Sequence, residues 1–357
     1  MPDVISQNLL SISNFAVIIN GTLLPMDGST LIHEIVVDED LDLPGMFTLE
    51  LVNLDVQGGK IAHLDDANTF AIGNVIEIKL GYLNALKTLI VGEITGLEPT
   101  FLCNAAPSLV VRGYDRRHRL QRGRHTCSFV QKKDSDIAAQ IASNAGLTAQ
   151  VENSQVIHDY VLQANQTDLE FLQQRAQQIQ YEVVVEDKTL FFRPIGLTRS
   201  ENVTLNLMSG LLEFYPRLST VGQVNEVQVR GWDPKEQKEI LGKAQTGDEM
   251  AAMAGQESGS TLSKRVFGAA VGVVSNRPVM SQAEADQVAK ARFNQAVLML
   301  ITGEGVCQGR PDVRAGQIIT LEGLGQRFSG QYYVTATSHR YSAEGYFTHF
   351  TVRRNAL

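Results

Sequence analysis

Cysteine is scarce in this chain: Cys103, Cys127 and Cys307 are scattered, and no CxxC pair occurs. An odd number without paired spacing argues against a disulfide framework and fits a reducing compartment. Long apolar runs are missing as well. Segments such as Phe267–Val274 are too short to span a bilayer, and Met1-Pro2-Asp3 opens without the basic, then apolar, pattern of a secretion signal. No membrane insertion by these residues is expected. The common catalytic signatures are also lacking. There is no GxxxxGK[ST] phosphate loop, no GxGxxG between a strand and a helix, and no GxSxG elbow. Positive charge is in deficit, with 31 Lys/Arg against 39 Asp/Glu and a net charge of -8.

What is present fits a globular protein of two or three domains: 357 residues, 43% hydrophobic and 20% charged. Against the acidic background stands one basic block. Residues 112–133 hold eight Lys/Arg and a single acid, Asp115, which leaves the rest of the chain strongly negative. Arg112, Arg116, Arg117, Arg119, Arg122 and Arg124 are its arginines. They could neutralise phosphates, and nucleic-acid binding through Arg116–Arg124 is the alternative reading. Tyr114 and Phe129 lie nearby, but no aromatic residues alternate with the arginines to stack bases. Arginine also pairs bidentately with carboxylates, which are plentiful here. The block therefore reads first as an interdomain or intersubunit interface, and nucleic acid is not an expected partner.

Metal and cofactor sites find no support. Asp38–Gly45 places acids like a calcium loop, but Leu43 occupies the position that requires Gly and Leu49 the one that requires Glu. His33-Glu34 begins an HExxH pattern that Val37 breaks. His118, His125 and Cys127 lack a fourth zinc ligand at suitable spacing. No cofactor is expected, and no carboxylate pair or nucleophile stands out as catalytic, so no enzyme activity is expected.

The first ~115 residues alternate apolar and polar positions, as in Phe47–Leu51 and Asn74–Lys79. Turn signals at Pro25–Gly28, Leu43–Gly45, Gly58–Gly59 and Glu98–Pro99 separate about six strands, starting near Leu10, Leu31, Met46, Asn74, Leu86 and Leu109. This predicts an antiparallel barrel. Ser135–Gly146 then carries an apolar helical face closed by Gly146. Thr167–Glu170 is a capping box, and Tyr181–Phe192 reads as a hairpin turning at Glu186–Lys188. Strand character returns after Pro194, with a turn at Trp232-Asp233-Pro234. Gly242–Asn276, rich in small residues, reads as a long mobile loop, and Ser281–Glu284 opens another helix.

The pattern also repeats. Ala71–Ile78 resembles Arg314–Leu321, each placing a Gly before an apolar strand, and Val110–Asp115 resembles Thr351–Asn355. A duplicated barrel with other material between is the implied design. The fold class expected is mainly β with an α+β insert. It divides into a first β-barrel at 1–115, an α+β domain at 116–197, and a second β-barrel at 198–357 interrupted by a loop and helix insertion at about 236–303.

At Val111–Phe129, Asp134–Leu147 and Val161–Pro194 the chain resembles the phage late control D proteins, which share a hub fold with the amino-terminal part of VgrG spike proteins. Leu43–Leu51 and Val224–Pro234 look similar too. The resemblance implies a baseplate hub of a contractile phage tail or contractile injection system: a homotrimer whose duplicated barrels join a hexameric inner-tube protein to a trimeric spike protein among the other baseplate components. Such a particle is assembled in the cytoplasm. No OB-fold or needle-like repeat follows Thr351–Leu357, so the spike is expected as a separate chain or a continuation.

Overall fold

The computed structural model describes residues 13–25, 31–52, 69–83, 85–104, 106–196, 200–233, 236–250, 253, 255, 257–276 and 278–357. The turns read at Pro25–Gly28 and Gly58–Gly59, the strand start near Leu10 and the turn residue Pro234 fall wholly or largely outside these.

The chain begins with β1 (Ser13–Ile19), the short β2 (Thr22–Leu23), β3 (Leu31–Asp40), β4 (Met46–Val52), β5 (Val75–Tyr82), β6 (Ala85–Thr100) and β7 (Ser108–Asp115). Apart from β2 they lie in the order β3-β4-β7-β6-β5-β1. Their alternation buries every second side chain, as in Phe47, Leu49 and Leu51 of β4, around one core with Ile35, Ile78 and Val111. This is the first barrel.

Next come α1 (Arg117–Leu120), β8 (His125–Lys133), α2 (Asp134–Asn144), β9 (Thr148–Val151), β10 (Ile157–Gln166), α3 (Asp168–Gln178), β11 (Tyr181–Glu186) and β12 (Thr189–Pro194). The capping box at Thr167 forms as its sequence requires: Thr167 Oγ1 accepts from the Glu170 N–H at 3.1 Å, and Glu170 Oε2 accepts from the Thr167 N–H at 3.0 Å. Gly146 sits at φ 71°, where a side chain would be strained, and Asp187 tops the β11–β12 hairpin. Leu172, Phe171, Ile137 and Phe192 fill a separate core.

The second barrel comprises β13 (Ser200–Asn206), β14 (Leu211–Leu218), β18 (Ile301–Gln308), β19 (Ile318–Glu322), β20 (Gly330–Ser342) and β21 (Gly345–Arg354), with α6 (Gly325–Phe328) on the way. Its order is β14-β18-β21-β20-β19-β13. Between β14 and β18 lie β15 (Glu226–Asp233), β16 (Lys238–Gln245), α4 (Gly259–Phe267), β17 (Val271–Val274) and α5 (Gln282–Val297). Ser281 caps α5 by accepting from the Glu284 N–H.

Two expectations need correction. The segment 242–276 is not a structureless loop. It completes β16, forms α4 from a Ser258 cap, and adds β17 in parallel to β15. Its small residues carry little periodicity because they pack on scattered partners: Gly242 on Ala285 of α5, Gly255 on Ala356, and Gly259 on Gln223 and Leu300. Glu98-Pro99 is not a turn either, since both residues lie within β6 and face Val110 and Leu109 of β7. Proline is tolerated there because β6 has no backbone partner on its other edge beyond Ile94 among the described residues.

The two barrels match strand for strand, as β1, β3, β4, β5, β6 and β7 against β13, β14, β18, β19, β20 and β21. Two of their ladder irregularities coincide, whereas the β5–β6 slip at Ile78 and the β13–β19 slip after Ser200 have no counterpart among the described residues. The β3–β4 ladder slips between Ile32 and Glu34, and the β14–β18 ladder between Leu211 and Glu213. The β6–β7 ladder slips between Ile94 and Gly96, and the β20–β21 ladder between Val334 and Ala336. Gly73 and Gly316 both adopt positive φ, and the N–H of each donates to the equivalent carbonyl, Ile94 O at 2.8 Å and Val334 O at 2.9 Å. One difference is that β1 runs antiparallel to β5, whereas β13 runs parallel to β19. The barrels fuse where β20 pairs with β3, giving a continuous 13-stranded sheet.

Candidate assembly interface

The basic block lies where β7 leaves the first barrel. The β7 alternation ends at Asp115, which is turned inward, and the carboxylate organises the exit. Asp115 Oδ2 accepts from the Gly45 N–H at 2.7 Å, and its two oxygens accept from the Arg117 N–H at 2.8 Å and Nε at 2.9 Å. A Cβ at Gly45 would come within 2.9 Å of that oxygen, so the turn before β4 needs glycine. Arg117 Nη1 also donates to Asp40 O at 3.0 Å.

Glu93 of β6 is the second anchor. Arg116 Nε donates to Glu93 Oε1 at 3.1 Å, Arg119 donates to both of its oxygens at 2.8 and 2.5 Å, and His118 Nε2 lies 3.0 Å from Oε2. Burial pushes the Glu93 carboxyl up, but the hydrogen bonds from Arg119 and His118 and the charges of Arg119 and Arg116 outweigh it, so the net shift is downward. Arg116 also reaches Asp187 at the β11–β12 turn. One short helical turn thus fastens the first barrel to the α+β region. Arg112 lies 3.0 Å from Glu98 across the β6–β7 ladder, and Arg124 donates to Asn165 O at 2.7 Å and Glu170 Oε1 at 3.0 Å. Arg122 is exposed. The structure gathers Arg116, Arg117 and Arg119 around acids of the same chain and leaves Arg112, Arg122 and Arg124 outside that group.

A second ionic joint had no signal in the sequence. Arg314, in the loop before β19, donates through Nε to Glu39 Oε2 at 2.7 Å and also binds Glu39 Oε1. It reaches Thr88 O at 3.0 Å and Leu89 O at 2.6 Å in β6. Thr337 Oγ1 donates to Glu39 Oε2 at 3.2 Å. Burial raises the Glu39 carboxyl, but the Arg314 charge and hydrogen bonds outweigh it and hold it below the usual range. Beside this pair His339 is fully buried, with Nδ1 2.9 Å from Tyr346 Oη and Nε2 3.1 Å from Val313 O. Burial, the largest effect, drives its pKa down to about 4. Partners more than 200 residues apart in sequence leave no local pattern, which is why this joint was missed.

A cleft of about 820 Å³ opens where the two barrels and the β11–β12 hairpin meet, lined among others by Asp40, Thr88, Glu182, Arg193, Arg314 and Gln317. Its charges engage one another, as in Arg193 Nε to Glu182 Oε1 at 2.8 Å. Among the described residues no cluster of His, Cys, Asp or Glu is placed to hold a metal ion, and no helix is long and apolar enough to cross a membrane. The Cys307 thiol is pushed up to about 12 by burial, which keeps it protonated and unreactive.

This architecture is the fold of phage tail proteins. The 43 kDa tail protein of prophage MuSo2 from Shewanella oneidensis superposes with a TM-score of 0.71 at 12% identity, covering 96% of this chain and 98% of that one. A tail protein from Neisseria meningitidis gives 0.68 at 13% identity, covering 96% and 97%. An Escherichia coli component of the type VI secretion system gives 0.62 at 13% identity, covering 95% and 77%. The Alg8 N-terminal domain family model matches residues 10–343, and the chain belongs to that family. A comparison with curated protein sequences gave no match.

Proposed function

We propose that the chain is a non-enzymatic baseplate hub protein of a contractile phage tail or contractile injection system. Three copies form a ring in which each contributes two barrels. The resulting pseudo-sixfold ring meets a hexameric inner tube on one side and a trimeric spike protein on the other, within the baseplate of a particle assembled in the cytoplasm. The observation that carries this reading is the repeat: two barrels with the same strand order and two ladder slips at equivalent places, already joined edge to edge by β20 and β3. A subunit that holds two near-equivalent units at a fixed angle converts threefold into sixfold order when its copies close head to tail.

In this reading the first barrel ends near residue 115, the α+β domain spans 116–197, and the second barrel takes the rest of the chain with its insertion. The arginines Arg116, Arg117 and Arg119 act as an interdomain clamp, supported by their engagement with Glu93 and Asp115. That use competes with phosphate binding and disfavours nucleic acid. The test is native mass measurement of the full chain, alone and mixed with neighbouring tail components. The reading expects a mass of three chains. A single chain under every condition overturns it.

A further inference from the structure

The internal joint carries a template for the contact between copies. Resting on the hub reading, we infer that the outer edge of β6 in one copy pairs antiparallel with β14 of the next, bringing Glu98 opposite Arg217. At the internal joint β20 presents Ala336, Thr337, Ser338 and His339 to Asp40, Glu39, Asp38 and Val37 of β3. The coinciding ladder slips make Ile94 the equivalent of Val334 and Glu34 the equivalent of Glu213. Carried over on that correspondence, Gly96, Leu97, Glu98 and Pro99 meet Ser219, Leu218, Arg217 and Pro216.

The side chains on these rungs suit one another. Leu97 meets Leu218, and the acid Glu98 meets the exposed Arg217, so one rung is apolar and the next oppositely charged. The two prolines fall on a single rung. Opposed residues of an antiparallel ladder point their N–H groups both toward each other or both away, so the prolines together cost at most one rung of hydrogen bonding. Both edges are also available. Among the described residues β14 pairs with β18 alone, and β6 beyond Ile94 with β7 alone. Edges of that length are seldom left uncovered in natural sheets, and Tyr215 of β14 stands 67% exposed beside the Glu98–Arg217 rung.

The experiment uses the full chain with the exposed Cys103 and Cys127 replaced by Ser and the buried Cys307 retained. Glu98→Cys and Arg217→Cys together, oxidised at assembly concentrations, are expected to give an interchain disulfide, since opposed residues lie within its reach. The covalent series should stop at three chains and vanish on reduction. In the native-cysteine chain, Glu98→Arg should weaken assembly about tenfold and Arg217→Glu in the same chain should restore it. Three-chain mass without the disulfide or the rescue overturns the strand pairing and leaves the hub reading standing. Disulfides that extend past three chains uphold the pairing and overturn the closed ring. A single chain with no disulfide overturns both.

Discussion

The first and second barrels keep one backbone with different interiors. The rung that holds Phe47 opposite Gly113 in the first barrel holds Gly303 opposite Val352 in the second. A Cβ at Gly113 would meet the Glu93 carbonyl oxygen at 2.1 Å and the Phe47 ring at 2.3 Å, while one at Gly303 would meet the Phe214 ring at 2.9 Å. Where the first barrel uses Leu49 and Val111, the second uses Gly305 and Phe350. Bulk has moved across both rungs; the second keeps its total, whereas the first loses bulk and the Phe214 ring packs over Gly303 instead, so close packing is kept by different side chains. Hydrogen-bond geometry has been retained instead: the two ladder slips and the turn at Gly73 and Gly316. The Arg314 clamp between the barrels has no counterpart among the described residues of the first, which has Ala71 at the equivalent position. On the proposed reading, this asymmetry separates the joint fixed within a chain from the one between copies.

Removing the clamp should break the comparison most severely. Arg314→Ala leaves the partly buried Glu39 carboxylate beside His339 without its guanidinium, and should destabilise the chain by about 3–4 kcal/mol in urea unfolding. Lys, which lacks the planar fork, should rescue this only partly. Next, Gly113→Val copies the side chain of the second barrel into the first without shrinking Phe47. The added bulk should cost about 3 kcal/mol, and Phe47→Gly in the same chain should recover only the share due to the ring. Recovery of nothing would mean that the Glu93 carbonyl, not the Phe47 ring, fixes this glycine.

Acid should act through the joint at smaller magnitude. His339 titrates near 4 when folded against 6.5 as a free side chain. Between those values the unfolded chain binds a proton that the folded chain excludes, so stability is complete above about pH 6.5 and falls as pH drops toward 4. Glu39, Glu93 and Asp134 are held below their ordinary values, so their contribution is lost as pH falls through the depressed range. Both effects have the same sign. Thermal melts from pH 7 to 4 should show a monotonic drop, with a shallower slope above pH 4.5 in His339→Gln. The smallest effects belong to the outer arginines. Arg124→Ala removes an exposed pair with Glu170 and should change unfolding free energy by about 0.5 kcal/mol or less.

Much of the fold was legible because it rests on local pattern. Alternation in Phe47–Leu51, the Thr167 capping box and the glycine of Ala71–Ile78 and Arg314–Leu321 each report a local constraint, and the last pair lies in true structural register. The other repeated pattern does not. Val111-Arg112-Gly113 looks like Val352-Arg353-Arg354, yet the ladders make Gly113 the equivalent of Val352, two residues out of step. A period of two lets such a slip preserve the inward and outward alternation. The arginine block was visible by composition, but its anchors were not, because Glu93 lies 26 residues before Arg119 in another strand. The insertion α4–β17 was illegible for a similar reason: Gly259 and Leu262 of α4 pack on Leu300 and the second barrel's core while β17 pairs with β15, so distant partners rather than a local period shape the segment.

The claim that all of this serves is that one duplicated chain builds a ring of six similar barrels from three copies. Electron microscopy of the purified assembly, with end-on views averaged without imposed symmetry, tests it most directly. The account predicts six lobes around a central channel, alternating in detail to give threefold order. Any other lobe count, or particles holding a single copy, would contradict it.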